Sequence, residues 1–585
     1  MGQIRSLTGE VREKVEPNPF SYRVRGKLFA LLGALVLVLS AGTLVACGDD
    51  DDDDGGGGAT ATGGEITISQ TSQPDYLDPA LSYTVNGIEP IWLVYTPLLT
   101  YRHVEGQEGA ELIPGLAEDL PEISEDGKTY TLTLRDGLKY SDGSDVVASD
   151  FEHTIKRILN LESGGSAFYE IIEGAPEYLE KGDPEGDISG IETDDQTGEI
   201  TITLTEADSS FSNVLAMWFA GLVPGDTPFK NLTEDPPPGV GSYMFTESVP
   251  NREFVMEKNP EFEALDIPDI PTGNIDKITT VIIKDAAKQA QDVLDNKLDR
   301  MQDPPPADLK PTVLEQADDR YEEHTTSSSY YFFMNLREAP FDDPKVREAV
   351  NYGIDKPALA RLFAGELAPG CTFLPPGFPG YDEEFDTTGC PYGDPNQPPD
   401  IAKAQSLIKE AGAEGEKVTV YSNNDDPSDK VGQAYADMLN EMGLDADVKI
   451  LDGGVYFQTI GNENTHAQTG FANWFADFPH PLNFYFLVDA DSIQPTNNQN
   501  FGNVDDKKIN DEIDRLSLET DTEAVAQDWA DLDSYLISPP QSYVAPYGHR
   551  KLATFFSERM DFESAIFHPV YFDDYSSWSL KEGEE

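Results

Sequence analysis

Residues 28–46 run without a charge from Leu28 to Ala46, with Arg23, Arg25 and Lys27 before them and Cys47 after. A stretch of this length could nearly span a bilayer, but a positive flank, an apolar middle and small residues at its end describe a secretory signal. Gly48, six aspartates at 49–54 and four glycines at 55–58 follow, with nothing to bury and much to hydrate, so they read as a flexible spacer. The folding part of the chain therefore begins after residue 58 and lies outside the cytoplasm.

The ending Leu44-Val45-Ala46-Cys47 resembles a bacterial lipobox, which implies that Cys47 receives a diacylglyceryl group and becomes the mature N-terminus. Cys371 and Cys390 are the remaining cysteines. In an oxidising compartment, an even pair in a loop rich in Pro and Gly reads as a disulfide. Two metal-binding thiolates are the alternative, and they lack the histidines or second cysteine pair a zinc site needs.

Forty Lys and Arg stand against 108 Asp and Glu, a formal charge of −68, and removing residues 1–46, with six basic and three acidic residues, leaves −71. The acidity belongs to the exported part. It excludes nucleic acid as a partner, because binding to phosphate backbones depends on basic surface that releases counterions. It is compatible either with a heavily hydrated surface, as in adaptation to high salt, or with cationic ligands.

Periodicity points to α/β architecture. Tyr130, Leu132 and Leu134 alternate with polar neighbours after a turn at Asp126-Gly127, predicting a half-buried strand, and Ile200, Ile202 and Leu204 repeat the pattern over residues 199–205. Ser149 and Glu152 form a capping-box pattern ahead of a stripe of Phe151, Ile155, Ile158 and Leu159. Asp343-Pro344 supplies N-cap and first-turn residues for a helix through Val346, Ala349, Val350 and Ile354. A stripe of Ile401, Ala404, Ile408 and Ala411 stops at Gly412. Residues 417–421, 427–442 and 446–451 then read as strand, helix and strand, a βαβ unit. There is no internal repeat of 20 to 50 residues.

Chemistry is sparse. The seven histidines have no spacing that puts two imidazoles on one metal, and no Gly-x-Ser-x-Gly elbow, Walker loop or Gly-x-Gly-x-x-Gly turn occurs. No enzyme, cofactor or metal is expected. One segment, from Asn473 to Phe484, sets a single carboxylate, Asp477, among Trp474, Phe475, Phe478, Phe484 and two prolines. Aromatic walls with one orienting charge suit a binding pocket. A structural turn capped by Asp477 is the other reading.

Leu77-Asp78-Pro79, Tyr95-Thr96-Pro97-Leu98-Leu99, Ser124-Glu125-Asp126-Gly127-Lys128-Thr129-Tyr130, Leu134-Arg135-Asp136-Gly137, Gly239-Val240-Gly241-Ser242-Tyr243 and Asn259-Pro260-Glu261-Phe262 occur in that order. Pro340-Phe341-Asp342-Asp343 and the Trp474 to Pro481 stretch follow. Together these resemble extracellular solute-binding protein family 5, the peptide-binding receptors of ABC importers. Phe478 replaces the tyrosine usual in the last motif.

The resemblance implies an α/β, periplasmic-binding-protein-like type II fold of two hinged lobes, with an extra subdomain inserted in the first. The expected division is signal 1–46, lipidated spacer 47–63, lobe I 64–100, inserted subdomain 101–222, lobe I 223–325, lobe II 326–539 and lobe I 540–585. It further implies a monomer, held on the outer face of the bacterial cell membrane by its lipid, that passes short peptides or another small solute to an ABC permease and ATPase complex. Asp477 matches the aspartate that holds the peptide α-ammonium, with Trp474 and Phe478 as candidate walls. A secreted hydrolase or adhesin on the same scaffold is the competing class, and binding without turnover separates the two.

Overall fold

The computed structural model describes residues 60–584, apart from 162, 185, 266, 425, 426, 520 and 523. The signal, Cys47 and most of the spacer lie outside the described residues. The chain builds two lobes, each around its own buried apolar core.

In the first lobe a five-stranded sheet runs in the order Arg300–Met301, Glu65–Gln70, Lys277–Ile282, Glu253–Lys258 and Tyr243–Val249. Its first three strands are parallel and the other pairings antiparallel. A separate antiparallel sheet, Glu122–Ile123, Thr129–Thr133, Glu199–Thr203 and Ile191–Asp194, packs under the helix Ser149–Asn160. Tyr130, Leu132, Ile200 and Ile202 bury one face, as their alternation requires, in the same core as Phe151, Ile155 and Ile158 of the helix.

The capping box does not form. Ser149 donates both its N–H (2.8 Å) and its hydroxyl (3.1 Å) to the Asp195 carboxylate, and Glu152 accepts from the Ile188 N–H (3.1 Å) and Lys156 (2.9 Å). Asp195, from a neighbouring turn, takes the place of Glu152 as acceptor for the Ser149 N–H, while Glu152 is held by Ile188 and Lys156. Asp343, by contrast, accepts from the Lys345 N–H at 2.8 Å and starts the helix Pro344–Gly353 as expected.

A second, mixed sheet forms the centre of the second lobe and extends across the junction into the first, in the order Tyr321–Thr325, Val544–Phe555, Ser328–Met334, Thr469–Phe475, Lys417–Asn423 and Asp445–Leu451. Lys417–Asn423 and Asp445–Leu451 are parallel and joined by the helix Ser428–Met442, which stops at Gly443 with φ 109°. Only a residue without Cβ takes that conformation without strain. Cys371 and Cys390 are bonded to each other inside this lobe's core.

The chain passes between the lobes through two adjacent segments. Residues 325–328 link Tyr321–Thr325 to Ser328–Met334, and Val544–Phe555 pairs with Ser328–Met334 by its first half and with Tyr321–Thr325 by its second. The Thr469–Phe475 strand ends at this crossing: Phe475 pairs with Ser328, and the Ala476 N–H bonds the Ser327 carbonyl at 2.9 Å. Whatever follows residue 476 therefore emerges into the space between the lobes.

Candidate ligand-binding cleft

Asp477 is the first residue after that crossing, and it is 5% exposed. Asn483, in the short helix Leu482–Tyr485, folds the segment back on itself. Its Oδ1 accepts the Asp477 N–H (2.9 Å) and the Trp474 Nε1–H (3.1 Å), while its Nδ2 donates to Asp477 Oδ2 at 3.0 Å. The turn is thus tied by Asn483, and the Leu482–Tyr485 helix is preceded by Pro481 rather than capped by Asp477.

The other oxygen reaches across the cleft. Asp477 Oδ1 accepts the Tyr83 hydroxyl at 2.8 Å, from a residue 394 positions away in the first lobe. No cation pairs with Asp477 among the described residues, and burial pushes its carboxyl up to about 6 against the opposing pull of Asn483 and Tyr83. Asp477 is a desolvated carboxylate held by two neutral side-chain donors, the Asn483 amide and the Tyr83 hydroxyl.

Two further contacts join the same faces. Phe478, 4% exposed, packs edge-on to Phe168 at 5.9 Å and belongs to the first lobe's core although its neighbours in sequence belong to the second. The Ser209 N–H bonds the Ser517 carbonyl at 2.9 Å. The lobes are closed on each other.

Between them remains a cavity of about 210 Å³. Tyr83, Phe168, Trp474, Phe478 and Phe486 supply aromatic wall, with Trp474 and Phe486 edge-on at 5.1 Å. Tyr83 and Asn483, both on the wall, hold the Asp477 carboxylate directly behind it. The volume is below the roughly 300–1,000 Å³ of drug-sized pockets, so the closed form suits a small ligand. Among the described residues, no group of His, Cys, Asp and Glu is placed to hold a metal ion.

The structure therefore sets Trp474 and Phe478 in the wall of one cavity, with Asp477 bonded to the wall residues Tyr83 and Asn483, and places the Cys371–Cys390 bridge in the second lobe's core. Sequence reasoning missed Tyr83 and Asn483. Asn483 had a faint signal, an amide just inside a short helix after Pro481; Tyr83 had none.

The family model described as bacterial extracellular solute-binding proteins, family 5 Middle, matches residues 111–494 of the 585. The chain belongs to this family. Among family 5 relatives, the dipeptide-binding protein DppE of Bacillus subtilis is 24% identical over 438 residues, which covers 72% of this chain and 77% of that protein. The dipeptide-binding protein of Escherichia coli K12 is 27% identical over 396 residues, 64% of this chain and 70% of its own. Among solved structures, the clavulanic acid biosynthesis oligopeptide binding protein 2 superposes with a TM-score of 0.80 at 25% identity, covering 90% of this chain and 97% of the other. The two-lobed α/β architecture is the type II periplasmic-binding fold shared with such proteins.

Proposed function

We propose that this chain is a lipid-anchored extracytoplasmic receptor that captures short peptides by closing its lobes over them and delivers them to an ABC permease. One observation carries the reading: Asp477, buried without a cation behind an aromatic cavity at the crossing between the lobes. A peptide α-ammonium supplies the missing counter-charge and takes the place of the Tyr83 hydroxyl or shares the carboxylate with it. Trp474 and Phe478 wall the first residue, and main-chain groups of the flanking strands hold the peptide backbone. The names of the relatives, which are dipeptide- and oligopeptide-binding, support the peptide class.

The proposed lobe division follows the sequence reading: lobe I from 64–100 and 223–325, the inserted subdomain 101–222 and lobe II 326–539. The last return to lobe I falls within Val544–Phe555, whose second half pairs with Tyr321–Thr325. Lipidation at Cys47 and the acidic spacer hold the body off the membrane; a diacylglyceryl group brings two acyl chains, enough for stable anchoring.

The test is calorimetry of Ala-Phe and N-acetyl-Ala-Phe against the wild-type protein and Asp477→Asn. A buried ammonium left without its partner costs on the order of 3–5 kcal/mol, so acetylation and the substitution should each weaken binding by about two to three orders of magnitude. Equal affinity for both peptides, or a silent substitution in a folded protein, rejects the ammonium anchor.

A further inference from the structure

The Asp477 end accounts for one charge, and the lining of the cavity itself holds more. Glu206 and Asp208 line it from the first lobe, and Asp489, Asp491 and Asp514 from the second, while no Lys, Arg or His side chain lines it. In a chain with 108 acidic residues, surface carboxylates alone mean little. Asp491 and Asp514 are exposed and would carry no argument by themselves.

Asp489 is different, because it is 95% buried and still faces the cavity. Its carboxylate accepts the Asp491 N–H at 3.1 Å, is also approached by the Ala490 N–H, and meets no side-chain donor or cation among the described residues. The backbone beneath is pinned, its carbonyl accepting from Ser492 Oγ (2.8 Å) and Asn500 Nδ2 (3.0 Å), which fixes the point from which the carboxylate projects.

Among the described residues, the other buried aspartates each have a cation or a side-chain donor. Asp78 has Arg157 at 2.8 Å, Asp299 has Arg559 at 3.0 Å, and Asp573 has Arg300. Asp533, without a cation, accepts from the Phe373 and Leu374 N–H groups, both at 3.1 Å, and from the Tyr485 hydroxyl. Nor do nearby cations turn to the cavity. On the helix that carries Asp514, Lys507 pairs with Asp511, Lys508 lies over the Tyr535 ring, and Arg515 bonds Glu512 and Asp528. Burial and the charges of Asp491 and Asp514 push the Asp489 carboxyl up to about 6, which is the electrostatic mark of a missing counter-ion.

We propose that Asp489, with Asp491 and Asp514 at its rim, is a second cation subsite, and that the ligand is a short peptide carrying a lysine or arginine side chain besides its α-ammonium. Asp477 and Asp489 then act as two separate anchors in one cavity, and a ligand with both charges neutralises both buried carboxylates when the lobes close. This rests on the peptide reading of the same cleft and narrows it.

The experiment compares Ala-Lys, Ala-norleucine and Ala-Glu, and the matching tripeptides with alanine added at the C-terminus, by calorimetry at pH 7.5, with putrescine as a non-peptide dication. One charge-assisted contact is worth about tenfold or more in affinity, so lysine peptides should bind at least tenfold more tightly than norleucine peptides, with Glu peptides weakest. In Asp489→Asn, which keeps an acceptor for the Asp491 N–H, the lysine-to-norleucine ratio should collapse to within about twofold, an effect that lost stability alone does not produce. Thermal unfolding confirms that the variant is folded, and Asp514→Asn, on an exposed helix face, should lower the ratio in the same direction.

Equal affinity for lysine and norleucine peptides in the wild type overturns the subsite and leaves the peptide reading standing. An unchanged ratio in both variants overturns the assignment to Asp489 and Asp514. Putrescine binding that depends on Asp489, with no peptide bound, keeps the acidic subsite and overturns its peptide ligand. No binding of any of these probes overturns both.

Discussion

Acidification probes Asp477 from two directions with opposite signs. Its carboxyl is raised from 3.8 to about 6 because the charge is buried without a cation. An ammonium anchor works only when the carboxylate is ionised, and the peptide α-amino group, with a pKa near 8, stays protonated below pH 7. At pH 5 about one molecule in eleven has Asp477 ionised, so the apparent affinity for Ala-Phe should be about tenfold weaker than at pH 7, and tenfold weaker again for each further unit. The free fold behaves the other way. A raised carboxyl contributes stability that is fully present below pH 4 and lost as pH rises through about 6, and a shift of two units corresponds to about 3 kcal/mol.

The paired assay is calorimetry of Ala-Phe between pH 5 and 7, in two buffers of different ionisation enthalpy to count protons released, alongside urea unfolding of wild type and Asp477→Asn. Binding should strengthen with pH, releasing about half a proton near pH 6. The stability of Asp477→Asn relative to wild type should rise by up to about 3 kcal/mol from pH 4 to 7.5, a difference in which the other titrating groups cancel. Flat affinity across this range, or a stability difference that ignores pH, refutes the placement of an ionisable ligand anchor at Asp477.

Three further outcomes follow from other parts of the chain. Replacing both Cys371 and Cys390 with Ser opens a link between residues 19 apart and should cost roughly 3 kcal/mol in urea unfolding; an unchanged midpoint would mean that packing alone closes the loop. Arg157→Met leaves the buried Asp78 carboxylate without the two N–H donors now at 2.8 and 3.1 Å and should cost about 3–5 kcal/mol in urea unfolding; a silent substitution counts against the pair. Cys47→Ser should move the protein from the membrane fraction to the soluble fraction of cells expressing it, and continued membrane retention would reject the lipid anchor.

The parts that were legible in the sequence are those decided by neighbours in the chain. The strand through Tyr130, the helix opened by Asp343-Pro344 and the βαβ unit ending at Leu451 follow from side chains within a few positions of one another, where period and caps act directly. The capping box at Ser149 failed for the complementary reason: its competitor, Asp195, comes from another turn, and nothing near Ser149 announces it.

The cleft divides along the same line. Asp477 stood out because a lone carboxylate among aromatic residues is unusual in any local window, and the structure sets it at the end of a central strand, where the chain passes between lobes. Tyr83 could not be paired with it, since the bond spans 394 residues and exists only once both lobes are folded and closed. Asp489 was harder still. As one acid among 108 it had no local signature, and what separates it from the rest is burial facing a cavity with no cation on its walls, a property of the two lobes together. In the proposed reading, specificity is written at positions that composition hides: the acidic bulk of the chain keeps it hydrated, while two buried carboxylates without a cation, Asp477 and Asp489, set which charges a ligand must bring.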